Sequence, residues 1–177
     1  MREATIDALA LAKGEAVLDV GCGPAYYLHL LPPCDYFGFD TDSRYIAYAR
    51  EHYGDRGRFY DEPYTKARAA TLPKFDAVLL MGLLHHLADT ESHSLLDLAV
   101  ESLAPGGRVV TLDTVLFQGQ SRLSRFLAAR DRGKHVRTPE AFLALAGQHF
   151  CSVESQTMGD TWRSPSAYFH MKLSDPL

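Results

Sequence analysis

Val17-Leu18-Asp19-Val20-Gly21-Cys22-Gly23-Pro24, with Tyr36-Phe37-Gly38-Phe39-Asp40 a short way downstream, is the stretch that decides the fold. The first run is apolar but for Asp19 up to Val20 and then breaks at Gly-x-Gly, which reads as a buried strand ending in a turn. Glycines at such a turn let backbone approach a ligand where side chains would block it. The second run reads as another strand, and it ends in an acid. In a doubly wound sheet the first two strands lie side by side, so Asp40 comes next to the glycine turn. A carboxylate there can accept both hydroxyl protons of a ribose. Either feature alone fits a tight turn or a helix cap; together they point to a nucleoside ligand.

Outward from this stretch the chain alternates. Strand-like runs occupy Ala16–Val20, Tyr36–Phe39, Arg58–Tyr60, Phe75–Met81 and Arg108–Leu112, and helical spacing fills Ala25–Leu31, Ser43–Tyr53 and Thr90–Leu103. A further helix over Ala4–Leu11 feeds the first strand. Nearly continuous apolar strands alternating with helices predict an α/β domain with a mostly parallel sheet covered on both faces. The last third differs. Ser121–Arg130 and Pro139–Ala146 read as helices, the second with Thr138 as N-cap and Pro139 in its first turn. Phe150–Met158 and Ala167–Leu173 then read as two strands with no helix between them. Such strands pair antiparallel, because a parallel crossover needs a dozen or more residues.

Two features argue against a dinucleotide. The third glycine of GxGxxG is replaced by Tyr26, and Pro24 occupies part of the turn where a diphosphate would meet helix amides. The chain also lacks the length for a separate oxidoreductase substrate domain.

Val17 to Pro24 resembles motif I of the class I S-adenosylmethionine-dependent methyltransferases, small enzymes of bacterial type with small-molecule acceptors among them. Later landmarks agree: Gly38-Phe39-Asp40, Phe75-Asp76-Ala77-Val78-Leu79-Leu80, Leu84-His85-His86-Leu87 and Leu103-Ala104-Pro105-Gly106-Gly107. The resemblance implies a Rossmann-like doubly wound seven-stranded sheet of order 3-2-1-4-5-7-6, strand 7 antiparallel, in one domain over residues 1–177. It implies S-adenosylmethionine as cofactor, its methionine part held by backbone at Gly21, Cys22 and Gly23 and braced by Asp19. Asp40 would take the ribose, Thr41 would lie along the adenosine, and backbone near Met81 would meet the amino group. The family's adenine contact after strand three falls on Asp61 or Glu62; Phe59-Tyr60-Asp61-Glu62-Pro63-Tyr64 leaves the register open, and both can equally be solvated loop acids.

His85 and His86 follow the fourth strand at the carboxyl edge of the sheet, where ligands bind in such folds. An imidazole there can act as base or orient the acceptor, or pack structurally. No metal site is expected: His85, His86 and His93 have no carboxylate or cysteine at a recognisable spacing. Arg130 to Arg137 carries four fixed positive charges and one negative. It reads either as recognition of an anionic acceptor by Arg132, Lys134 or Arg137, or as a solvated loop. Tyr26, Tyr27 and Trp162 are candidates for the cleft wall, or for core packing.

The 177 residues carry a net charge of −4, which argues against a broad nucleic-acid footprint. No apolar run approaches the roughly 18 residues of a membrane span, and Arg2, Glu3 and Asp7 interrupt any signal-like start. Three scattered cysteines form no disulfide framework, so a cytoplasmic setting is expected. The expectation is a methyltransferase for a small molecule at oxygen, since no Asn/Asp-Pro-Pro-Tyr signature follows strand four. The alternative is a non-catalytic S-adenosylmethionine-binding partner protein of the same fold. Nothing in the sequence names the acceptor or the oligomeric state.

Overall fold

A computed structural model of the protein describes residues 2–131 and 133–177. Seven strands form one sheet: β1 (Ala16–Val20), β2 (Asp35–Asp40), β3 (Gly57–Asp61), β4 (Phe75–Met81), β5 (Leu103–Thr114), β6 (Phe150–Gly159) and β7 (Ala167–Pro176). Their order is β3-β2-β1-β4-β5-β7-β6. Strands β1 to β5 pair in parallel, while β7 runs antiparallel to both β5 and β6. The expected order and the hairpin are both present.

Alternation along each strand divides the core in two. Val17, Tyr36, Leu79 and Val110 face one side, where they pack with Leu28 and with Ile46 of helix α2 (Ser43–Tyr53). Helix α1 (Arg2–Leu9) lies on the same side, sending Leu9 into this cluster. Leu18, Phe37, Phe39, Val78, Leu80 and Val109 face the other side. There they meet Leu96 of α4 (Asp89–Ser102) and Phe142 of α6 (Pro139–Ala146). Both faces are apolar because both are covered, which is why the strands read as nearly continuous apolar runs.

Local signals set the helix ends. Thr138 Oγ1 accepts the Ala141 amide with Pro139 in the first turn, as the sequence predicts. Ser121 caps α5 (Arg122–Ala129) in the same way, through the Ser124 amide. A short helix α3 (Lys66–Ala69), not foreseen, begins at Thr65.

The helix expected over Ala25–Leu31 is absent; only a 3-10 turn forms at Leu28–Leu30. Ala25 stands at φ +56°, which no α-helix accommodates. The hydrogen bonds from Leu28 to Ala25 and from Leu31 to Leu28 span three residues, not four. Pro32-Pro33 then forces Leu31 into extended backbone at ψ 147°. Between one proline and the next there is too little chain to nucleate a helix.

Candidate functional site

The glycine turn and Asp40 meet at the carboxyl ends of β1 and β2. Gly21 and Gly23 have φ of +71° and +53°, values that favour glycine. The turn is tied down from within: the Gly21 and Cys22 amides both donate to Phe39 O, at 2.8 and 3.0 Å. The Gly23 amide donates to Asp40 Oδ2 at 2.8 Å, and the Asp42 amide donates to Asp40 Oδ1 at 2.8 Å. These amides are therefore used inside the protein, and the turn offers closeness and carbonyl oxygens. Asp40 is held by one N–H on each oxygen, which leaves acceptor capacity on both.

A cavity of about 560 Å³ opens beside them. Gly21, Gly23, Asp40 and Thr41 line one wall, and Gly82, Leu83 and His86 line another. Glu62 lines it and Asp61 does not, although both are exposed on the loop leaving β3; Glu62 also pairs with Arg68 at 2.9 Å. Met81 packs into the core beneath, so the backbone presented after β4 is that of Gly82 and Leu83. Of the aromatics, Phe39, Tyr45 and Tyr64 line the cavity together with His86, and the expected trio does not. Tyr26 packs edge-on against Tyr48, Tyr27 is half-buried away from the wall, and Trp162 is 98% exposed on the turn between β6 and β7. A second groove of about 660 Å³ lies between α1 and the β6–β7 hairpin, remote from the glycine turn.

Asp19 and Cys22 lie under the turn. Tyr36 donates to Asp19 Oδ2 at 2.6 Å, while Asp19 Oδ1 is buried with no hydrogen-bond partner. Burial raises the Asp19 carboxyl to about 7, against the lowering effect of the Tyr36 hydroxyl. Burial also pushes the Cys22 thiol up, so it stays a neutral packing group.

The two histidines divide. His86 is exposed on the cavity wall, whereas His85 is buried. His85 Nδ1 lies 2.9 Å from Asp113 Oδ1, the same oxygen that accepts the His85 backbone N–H at 3.1 Å. Its Nε2 faces Asp131 Oδ1 at 3.2 Å. Asp113 closes β5 and is 1% exposed; Asp131 follows α5 and accepts from the Gly133 amide at 2.7 Å. Burial works to raise the Asp131 carboxyl, but the Gly133 amide, His85 and Thr114 together hold it below the usual carboxylate range. Sequence reading missed both aspartates.

The basic loop is not one unit. Arg137 is tied into the fold: its Nε donates to Asp89, Nη1 to Leu84 O and His135 O, and Nη2 to Leu87 O, Asp89 and Ser92 Oγ. Every N–H is engaged and the side chain is 8% exposed, so no donor remains for an acceptor anion. The expectation of Arg137 as an anion ligand is corrected by that geometry. Lys134 is exposed on the surface, off the cavity wall, and Arg132 lies outside the described residues.

Comparison with known proteins gives a consistent result. A family model described as a methyltransferase domain matches residues 17–107, a little over half of the chain. No curated protein matches it in sequence. In structure, the chain is similar to the N-methyltransferase NodS of Bradyrhizobium japonicum WM9 in complex with S-adenosyl-L-homocysteine, at a TM-score of 0.74 and 18% identity, covering 99% of this chain and 87% of that one. It is similar to a TehB-like S-adenosylmethionine-dependent methyltransferase of Corynebacterium glutamicum, at 0.65 and 18%, covering 98% and 86%. Human N-acetylserotonin methyltransferase in complex with S-adenosylmethionine aligns at 0.71 and 18%, covering 99% of this chain, which spans only 52% of the human protein.

Proposed function

The chain belongs to the methyltransferase-domain family, a family that binds S-adenosylmethionine, and from that premise we propose that it methylates a small molecule at oxygen. The observation that carries the reading is the cavity at the ends of β1, β2 and β4, with the glycine turn and Asp40 on one wall. Its size suits a small-molecule site. The residues fit the cofactor. Asp40 has an acceptor position left on each oxygen that the two ribose hydroxyls would take, and the backbone of the glycine turn would hold the methionine part. Thr41 would lie along the adenosine, and the apolar surface of Pro63, Tyr64, Leu87 and Leu95 would suit the flat face of adenine, with Glu62 as the candidate for its edge. The unpartnered Asp19 Oδ1 beneath the turn supports a cationic or hydrogen-donating group above it, as the amino end of the cofactor is.

When bound, the cofactor supplies an activated sulfonium methyl group. The chain's own part is to align the acceptor and exclude water. Methyl transfer to a hydroxyl releases a proton, and His86 is the imidazole on the cavity wall that can take it. His85 sits behind, fixed by Asp113, and positions its neighbour through ring contact at 4.2 Å. Arg132 and Lys134 remain the proposed contacts for a negatively charged acceptor. No described helix is long and apolar enough to cross a membrane. A cytoplasmic setting is part of the proposal.

Calorimetric titration with S-adenosylhomocysteine tests the cofactor site. Asp40→Ala should weaken binding by about 10-fold or more, the loss of charge-assisted hydrogen bonds. Unchanged affinity refutes the ribose assignment. Binding of the homocysteine product by wild type, without turnover of labelled cofactor on any small acceptor, would favour the non-catalytic partner instead.

A further inference from the structure

We propose that His85 Nε2, His86 and Asp131 form a binding site for a divalent transition-metal ion, of the Zn²⁺ or Co²⁺ kind, at the mouth of the cavity. One ligand atom from each residue lies within 4.8 Å of the other two.

The hydrogen bonding around His85 sets up the site. Its backbone N–H and its Nδ1 both address one oxygen of Asp113, a carboxylate buried under the end of β5. Nδ1 is thereby the protonated nitrogen, and Nε2 presents its lone pair. A buried carboxylate that orients a histidine from behind is the usual support of a metal-bound imidazole. Nε2 points at Asp131, another acceptor.

The two contacts of His85 differ in length. A charge-assisted N–H···O⁻ bond closes to roughly 2.7–2.9 Å, and the His85 to Asp113 contact does so at 2.9 Å. The His85 to Asp131 contact is 3.2 Å. Two ligands bound to one ion at about 2.0–2.1 Å sit roughly 2.8–3.0 Å apart at octahedral right angles and roughly 3.3–3.4 Å apart in a tetrahedron. The second contact is close to the spacing of two ligands on one tetrahedral ion.

The loop is built to bring Asp131 there. Gly133 lies so tightly against His85 that a Cβ on it would collide with the His85 ring and carbonyl. The His135 amide donates to His85 O at 3.0 Å, and the Gly133 amide and Thr114 hydroxyl orient the Asp131 oxygens at 2.7 and 3.2 Å. Two imidazoles and one carboxylate favour Zn²⁺ and its neighbours over Mg²⁺, which prefers oxygen ligands and water. His86 lines the cavity, so an ion held there would be placed to meet a hydroxyl or carboxylate oxygen of the acceptor. Ion binding stands independently of the methyltransferase reading; only the ion's task rests on it, and while the ion is bound His86 is its ligand and not the proton acceptor.

The test uses the full chain, free of cofactor and of any histidine tag, titrated with Zn²⁺ by calorimetry and with Co²⁺ by visible absorption. One ion per chain is expected. Asp131→Ala and His86→Gln should each weaken binding about 10-fold or more, and Asp113→Asn by a similar factor. His93→Ala, outside the cluster, should leave it unchanged. His86 is exposed, so its variant folds and keeps the test decisive even if Asp113→Asn does not. No ion bound, or affinity unaffected by Asp131→Ala and His86→Gln, overturns the proposal. S-adenosylhomocysteine affinity measured on the same wild-type sample separates the two readings: its absence with ion binding intact removes the cofactor assignment and leaves the ion site standing.

Discussion

Asp19 sits under the glycine turn with one oxygen on Tyr36 and the other without a partner, and its charge is held there at a cost. Its carboxyl is raised to about 7 in the folded chain against about 3.9 in an unfolded one. The sign follows from linkage. Below about pH 4 both states are protonated and the residue is neutral to stability; as pH climbs towards 7 the folded state is penalised, by at most about 4 kcal/mol, and the penalty levels off above that. Asp19→Asn should therefore unfold at higher urea than wild type at pH 8 and at similar urea at pH 4. Equal midpoints at both values would show that the carboxylate is solvated. With S-adenosylhomocysteine present the variant should bind more weakly, because the brace beneath the turn has lost its charge. Gly133 is the other decisive position: Gly133→Ala should displace the loop from His85 and cost about 1–3 kcal/mol in a urea melt. Asp40 and the glycines are legible in sequence because strand ends mark them. Asp113 and Asp131 are not: each is an ordinary acid by local pattern, and they converge on His85 only because β5 ends beside it and α5 returns the chain over it.

At the scale of elements, Arg137 joins the start of α4 to the segment leading into α6. Its guanidinium caps the carbonyls of Leu84 and Leu87 and pairs with Asp89. Arg137→Ala should lower stability by about 2–3 kcal/mol, since buried carbonyls lose their donors. The acceptor KM at permissive temperature should change little; a large KM rise with unaltered stability would return Arg137 to the acceptor site. The sequence shows four positive charges in a row of eight and nothing of how they divide, because that depends on partners about 50 residues away. The strands were readable for the opposite reason. Covered faces demand nearly continuous apolar runs, and β1 and β4 display them, each with one acid. The segment 25–31 misled because its apolar spacing is helical, while the prolines on both sides and the positive φ of Ala25 decide its backbone.

At the scale of the whole molecule, one sheet joins two core clusters, and we expect the chain to unfold as one unit. Calorimetry should show a single transition. S-adenosylhomocysteine at about 100 times its Kd should stabilise the fold by roughly 2.7 kcal/mol, and the Asp40→Ala variant should need correspondingly more ligand for the same shift. Two separate transitions would contradict a single domain.

The position of β7 between β5 and β6 has a consequence for synthesis. β6 is translated before β7 but reaches the sheet only through it, by the pairing of Phe150–Gly159 with Ala167–Pro176. A nascent chain that has passed Gly159 but not yet delivered Ala167 holds ten residues of strand with no neighbour. At translation rates of about 5–20 residues per second, the delay until β7 is complete is on the order of seconds. Released chains truncated between these two points should be cut by protease within β6, which pairing with β7 protects in the longer chain.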